Sequence, residues 1–184
     1  MDIQKACEIA KKENIELTSI VFPRNQVNKD YLPICLKYGI KYYRGAQQGK
    51  LWSSKDTDEG NKVKFKILRF LDAYINISGA GSYPIPEIKQ YPINLPGSCF
   101  LRPYNNKYPF LESLKMKRIK DGMTTAAKNG EVYHLWWHPH NFGINLEKNI
   151  KMLENILKHY SYLKSNYPMQ NASMKELGKI IERL

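Results

Sequence analysis

Apolar residues recur along this chain with two periods, near 3.6 and near 2, and the switches between them mark out helices and short strands. Asp2 can cap a first helix reaching roughly Asn14, with Ile3, Ala6, Cys7 and Ala10 on one face. The run ELTSIVF then reads as a strand and stops at Pro23-Arg24-Asn25. Asn28 can cap the helix KDYLPICLKY, where Pro33 is tolerable only near the first turn, and Gly39 closes it. IKYY is a short strand ending in Arg44-Gly45. A polar loop, SSKDTDEGN, precedes a helix over KVKFKILRFLDAYIN.

The Pro/Gly-rich stretch GAGSYPIPEIKQYPINLPGS predicts mostly irregular chain. Its exit CFLRPY is strand-like and ends at Arg102-Pro103. FLESLKMKRIKDGMTTAAKN predicts a long helix ended by Gly130, followed by the strand EVYHLWW. Asn145 is placed to cap a helix with Leu146, Ile150, Leu153, Ile156, Leu157 and Tyr160 at helical spacing. A last helix opens with the capping-box pattern Ser173-x-x-Glu176 and would bury Leu177, Ile180, Ile181 and Leu184.

A helix–Gly–strand unit occurs twice, in KYGIKYYRG and KNGEVYHLWW. Helices alternating with short strands argue for an α/β fold with a parallel sheet, open or closed as a barrel, within one domain spanning residues 1–184. Chemistry in such folds sits at the C-terminal ends of the strands. Those ends carry Arg24, Arg44, Arg102 and His138. They are either parts of one polar face or four unrelated loop residues.

Charge changes this picture little. The net charge of +12 invites nucleic acid, but the lysines are spread along the chain. The densest stretch, KVKFKILRF, alternates cations with apolar residues as a solvated helix face would. An anionic glycan suits such a surface equally well, so nucleic acid is disfavoured as a partner. No apolar run approaches the ~18 residues of a membrane span, and the N-terminus lacks the form of a signal peptide. Cys7, Cys35 and Cys99 stand far apart and read as buried reduced thiols, which suits a cytoplasmic protein.

Chemistry concentrates in EVYHLWWHPHNFG, which holds His134, His138 and His140 beside Trp136 and Trp137. On a strand, His134 and His138 would lie about 13 Å apart, too far to share a zinc ion held at about 2.1 Å. His138 and His140 could supply two ligands, without a visible third. An acid/base role suits His138 better. It stands where the strand ends, fixed by Pro139, beside a tryptophan able to wall a sugar-sized pocket, and histidine titrates near neutrality. His134 reads as a structural histidine and His159 as a surface one. Trp136 and Trp137 point to opposite faces, so one can line a site while the other packs against a helix.

VFPRNQ followed by HLWWHPHNFG resembles the polysaccharide deacetylase family, metal-dependent carbohydrate esterases with a distorted α/β barrel. YYRG, NLPGSCFLRP, RIKDGMTTAAKNG and LKHYSYLKSNYPM extend the resemblance over nearly the whole chain. It implies that Arg24 corresponds to the arginine that orients and tunes a catalytic aspartate. It also implies that His138 corresponds to the late histidine that protonates the leaving amine, with Leu135 and the aromatic run as its apolar neighbours. FPRNQ is poorer in proline and glycine than the usual family motif.

Family members carry an Asp-Asp pair and a His-x-x-x-His motif that furnish the base and the metal ligands; this chain has no Asp-Asp pair and no histidine before His134. The resemblance therefore implies an α/β fold that is a partial (β/α) barrel of the polysaccharide deacetylase type, lacking its first strands. A full barrel takes about 250 residues. A zinc-like divalent metal is expected for the family, with ligands not present in this chain; they would come from a chain or segment carrying the N-terminal half. The implied activity is hydrolysis of N-acetyl amide bonds in a glycan. His138 and Arg24 would be catalytic, and Trp136, Arg44, Arg102, His140 and Asn141 would bind substrate. A non-catalytic glycan-binding remnant and a basic nucleic-acid-binding domain are the competing readings.

Overall fold

A computed structural model describes residues 2–49, 51–52 and 63–184. The polar loop SSKDTDEGN lies outside the described residues. Six α-helices among the described residues are α1 (Asp2–Lys12), α2 (Leu32–Lys37), α3 (Val63–Asp72), α4 (Pro109–Asn129), α5 (Leu146–Asn166) and α6 (Met174–Ile181). The strands are β1 (Ser19–Val21), β2 (Tyr42–Arg44), β3 (Ile93–Asn94), β4 (Cys99–Phe100) and β5 (Leu135–Trp136). Among the described residues these strands pair in parallel, in one sheet of order β1-β2-β3 and a second that joins β4 with β5, and a single antiparallel bridge links Tyr83 and Val132. Helices with small parallel sheets make this an α/β protein. The chain gathers into two compact units, one formed by Met1–Ala46, Pro86–Pro96 and Asn171–Leu184, the other by Gln47–Ile85 and Gly97–Gln170.

In the first unit β2 is the central strand, in register with β1 (Ser19↔Tyr42, Val21↔Arg44) and β3 (Tyr42↔Ile93). Phe22, Leu32, Cys35 and Ile40 form one apolar cluster, and Tyr42, Ile93, Leu95 and Ile181 another. Asn28 caps as expected, its side chain accepting the Asp30 N–H at 3.0 Å, but the capped element is a 3-10 turn (Lys29–Tyr31) that leads into α2. Gly39 ends α2 at φ +84°, a conformation that favours glycine. The Ser173–Glu176 capping box opens α6 in both directions. That helix lies so close to the sheet that a Cβ on Gly178 would overlap the Tyr42 ring. Beyond it, one oxygen of Glu182 accepts from Lys41 Nζ (3.2 Å), Tyr42 OH (3.0 Å) and Tyr91 OH (3.1 Å).

In the second unit α4 and α5 pack beside β4 and β5 over a core of Leu101, Ile119, Met123, Phe142, Met152, Ile156 and Leu163. Gly130 stops α4 in the left-handed conformation (φ 67°). Gly122 admits the Tyr133 ring and the Ala80 carbonyl, both within 3 Å of where a Cβ would stand.

Several expectations are corrected. Each strand is shorter than its apolar run, and IKYY shifts to Tyr42–Arg44. β3 forms within the Pro/Gly-rich stretch, where no strand was expected. Ala6 is exposed on α1. α3 ends at Asp72 because its carboxylate turns back to take the N–H groups of Ile77 (3.1 Å) and Ser78 (2.8 Å). Its residues Ile67, Leu68, Phe70 and Leu71 are exposed, so the cations do not mark its solvent face alone. On α5 Ile156 is buried and Leu153 and Tyr160 pack against the core, but Leu146, Ile150 and Leu157 are exposed, and Asn149, Met152 and Leu163 complete the buried side. Asn145 makes no cap bond; its side chain engages Tyr104 O and Asn106 Nδ2. Leu184 is exposed beyond α6.

Candidate functional site

The β4–β5 pair sets out the residues that sequence reading singles out in the second unit. Register matches Cys99 with Leu135 and Phe100 with Trp136. Because side chains alternate across a strand, Cys99 and Leu135 turn to the core while Phe100 and Trp136 share the other face. Their rings lie 4.5 Å apart, tilted by 39°. His138, two residues beyond Trp136, stays on that face, with its ring 5.5 Å from Trp136 and 5.6 Å from Phe100, both edge-on. His140 stacks on His138 at 5.3 Å and 21°. Three rings thus surround an exposed imidazole at the carboxyl end of a parallel strand.

Local chemistry holds His138 there. Pro139 excludes the helical region for the residue before it, and His138 is extended at φ −104°, ψ 115°. The chain then turns through a 3-10 segment (Pro139–Asn145), in which the Asn141 N–H donates to the His138 carbonyl at 3.0 Å. Trp137 points the other way and stacks on buried Phe142 at 6.2 Å and 18°. The two tryptophans thus face opposite ways as expected, with Phe142 rather than an α-helix beneath Trp137.

Polar groups beneath this face fix the loops that leave the two strands. Fully buried Asn149 accepts the Tyr104 N–H at 2.7 Å and donates to the Phe142 carbonyl at 3.1 Å, so one α5 side chain ties the loop after β4 to the loop after β5. Lys115 of α4, also buried, donates to the carbonyls of Arg102 (3.0 Å) and Pro103 (3.3 Å) and pairs with Glu112 at 2.6 Å. Burial lowers the Lys115 pKa, with Glu112 opposing the shift. The Arg102 guanidinium itself lies over the Phe70 ring of α3, 5.9 Å from its centre.

Deeper still, Arg118 pairs with Asp72 at 2.8 Å and reaches Cys99 Sγ at 3.5 Å. Asp72 also accepts from Trp52 Nε1 (3.0 Å) and Ser78 Oγ (2.9 Å). Burial pushes its carboxyl upward, but the Ser78 and Trp52 hydrogen bonds and the Arg118 charge together leave it below the ordinary aspartate value.

In the first unit Arg24 and Asn25 follow β1, both in the left-handed region at φ 55°. Asparagine tolerates that conformation better than arginine, whose strain marks a constrained turn. Asn25 Oδ1 accepts from Arg44 Nε at 3.2 Å, linking the ends of β1 and β2. The four strand-end residues thus stand where expected in their own strands. Trp136, His138, His140 and Asn141 come together in the second unit; Arg102 turns to α3; Arg24 and Arg44 belong to the first unit.

Sequence reading missed Phe100, Asn149 and Lys115. Phe100 has its role only through the cross-strand register. Asn149 could have been suspected as a polar residue interrupting the apolar stripe of α5. His134 is tied into the strands through its backbone, its N–H donating to Ser98 Oγ at 2.9 Å. His159 is half-buried between α4 and α5, with Nε2 at 3.0 Å from Thr124 Oγ1 and 3.1 Å from the Lys120 carbonyl, and so is not a plain surface residue. The cysteines are unpaired with one another, Cys35 and Cys99 buried and Cys7 half-buried.

A metal of the kind the resemblance implies does not fit what these residues offer. His138 and His140 present two stacked imidazoles, and among the described residues no three His, Cys, Asp or Glu side chains gather into a set of ligands. No helix among the described residues is long and apolar enough to cross a membrane. The chain matches no family model, no curated protein and no solved structure.

Proposed function

We propose that this chain supplies the sugar-holding and proton-donating part of a polysaccharide deacetylase-type amide hydrolase, as the C-terminal portion of a partial (β/α) barrel. The observation that carries the reading is the exposed His138 at the end of β5, bordered by Phe100, Trp136 and His140. Parallel strand pairing is the α/β feature on which this reading draws. In this reading a sugar of an N-acetylated glycan lies against the Phe100–Trp136 face, and His138 in its protonated form gives its proton to the departing amine nitrogen. A positioned acid of this kind contributes roughly 10²–10⁴ in rate. Asn141, through its backbone bond to His138, and His140, through its stacked ring, hold the acid in place.

No step is assigned to a metal here, because the described residues do not assemble its ligands. The ring-lined Phe100–Trp136 face would equally serve a second reading, a glycan-binding chain without catalysis. Titration of the purified protein with oligomers of N-acetylglucosamine, following tryptophan fluorescence and acetate release with and without added zinc, separates the two. Acetate release that His138→Ala abolishes supports the hydrolase. Saturable binding without acetate supports the glycan binder. Absence of any sugar binding, together with steeply salt-dependent oligonucleotide binding, would replace both.

A further inference from the structure

α3 is turned inside out relative to an ordinary amphipathic helix, which buries its apolar stripe and shows charge to water. Its acidic residue, Asp72, is fully buried, and Arg69 folds back so that Nε donates to the Leu51 carbonyl at 2.9 Å and the guanidinium lies over the Trp52 ring. Ile67, Phe70 and Leu71, spaced i, i+3 and i+4 and therefore on one face, are 53%, 38% and 38% exposed. The chain continues past the helix with Ile75 and Ile77 also exposed. An apolar stripe of this kind on a monomer marks a surface made to be covered.

The charges around it identify the cover. Lys66 is exposed beside the stripe, and the Arg102 guanidinium sits over Phe70. Between Lys62 and Pro86 the sequence holds no acidic residue except the buried, paired Asp72. Cores of protein–protein interfaces are depleted of lysine. A helix that sets apolar residues between cations fits the boundary between acyl chains and anionic headgroups. The net charge of +12 adds long-range attraction to such a surface.

We infer that α3 docks this protein peripherally on an anionic lipid bilayer. Ile67, Phe70 and Leu71 enter the headgroup–acyl boundary, and Lys66 and Arg102 meet lipid phosphates. The inference goes beyond the glycan reading and stands without it. Co-sedimentation of the whole chain with phosphatidylcholine vesicles, with and without phosphatidylglycerol, tests it. Binding is expected only with phosphatidylglycerol and falls as salt rises. The double variant Ile67→Glu/Leu71→Glu, its fold checked by circular dichroism, is expected to bind at least about tenfold more weakly. The single surface exchange Lys66→Glu is expected to weaken binding about tenfold by reversing one charge near the membrane. Failure to bind phosphatidylglycerol vesicles, or binding that neither variant changes, overturns the inference. So does sedimentation equilibrium showing a dimer that Ile67→Glu/Leu71→Glu abolishes, since a second copy would then be what covers the stripe.

Discussion

Arg118 and Asp72 meet at 2.8 Å, both buried, with four further donated hydrogen bonds closing the carboxylate. Taking one partner away leaves a charge in the interior. Arg118→Met is therefore expected to destabilise the protein by about 3–5 kcal/mol, and the double exchange Arg118→Met/Asp72→Leu by less than the sum of the singles. Chemical denaturation of the four species measures the coupling. Equal and additive losses would mean that the pair is not a unit.

The same carboxylate sets an acid limit. Asp72 has a folded pKa below its unfolded value of about 3.9, so its stabilising contribution is complete above that value and is lost as pH falls through the folded pKa. Thermal unfolding followed between pH 6 and pH 2 should show the melting temperature of the wild type falling faster at the acid end than that of Asp72→Asn. Parallel curves would contradict the assignment.

The platform offers a separable test. Trp136 and Phe100 share a face across two strands, so Trp136→Ala removes a wall of the proposed sugar surface and a neighbour of His138. Binding of N-acetylglucosamine oligomers is expected to weaken roughly fivefold to tenfold, the worth of about 1 kcal/mol of aromatic contact. Trp137→Ala should leave sugar affinity unchanged and cost stability, because its ring lies on Phe142. Reversal of that pattern in isothermal titration and melting experiments would move the site to the other face.

Asn149 should be among the least tolerant positions. Asn149→Ala strands the Tyr104 N–H and the Phe142 carbonyl, for an expected loss of about 2–4 kcal/mol. Asn149→Leu, of similar size, should recover little of it. Urea denaturation of both variants checks this; full rescue by leucine would mean that volume, not the two hydrogen bonds, is what matters there.

Gly178→Ala pushes a methyl group into the Tyr42 ring. Overpacking of this kind typically costs about 1–3 kcal/mol. Amide exchange in α6 is expected to accelerate before exchange elsewhere in the first unit, and unchanged protection would show that the ring gives way freely.

Much of this was legible in the sequence, for identifiable reasons. Helices were readable because their signals are local: Gly39, Gly130 and the Ser173–Glu176 box each act within a turn of the chain. His138 was readable because Pro139 dictates its backbone. Strand length was not, since ELTSIVF and EVYHLWW are apolar throughout and only their partners decide how much pairs; β3 was hidden for the same reason among prolines. On α5 the helical spacing identified Leu153, Ile156 and Tyr160, while the buried Asn149, being polar, gave no such signal. α3 was misread because its apolar residues face water, an arrangement that composition cannot reveal. Phe100 looked like any core aromatic until its register with Trp136 was known.

The single amide of Asn149 makes the turns after β4 and β5 one mechanical piece, with the Phe100 and Trp136 rings on top of it. Bracing of this kind resists independent movement of the two turns. In the proposed reading the ring-lined face would meet a sugar already in shape, so little ordering would accompany contact.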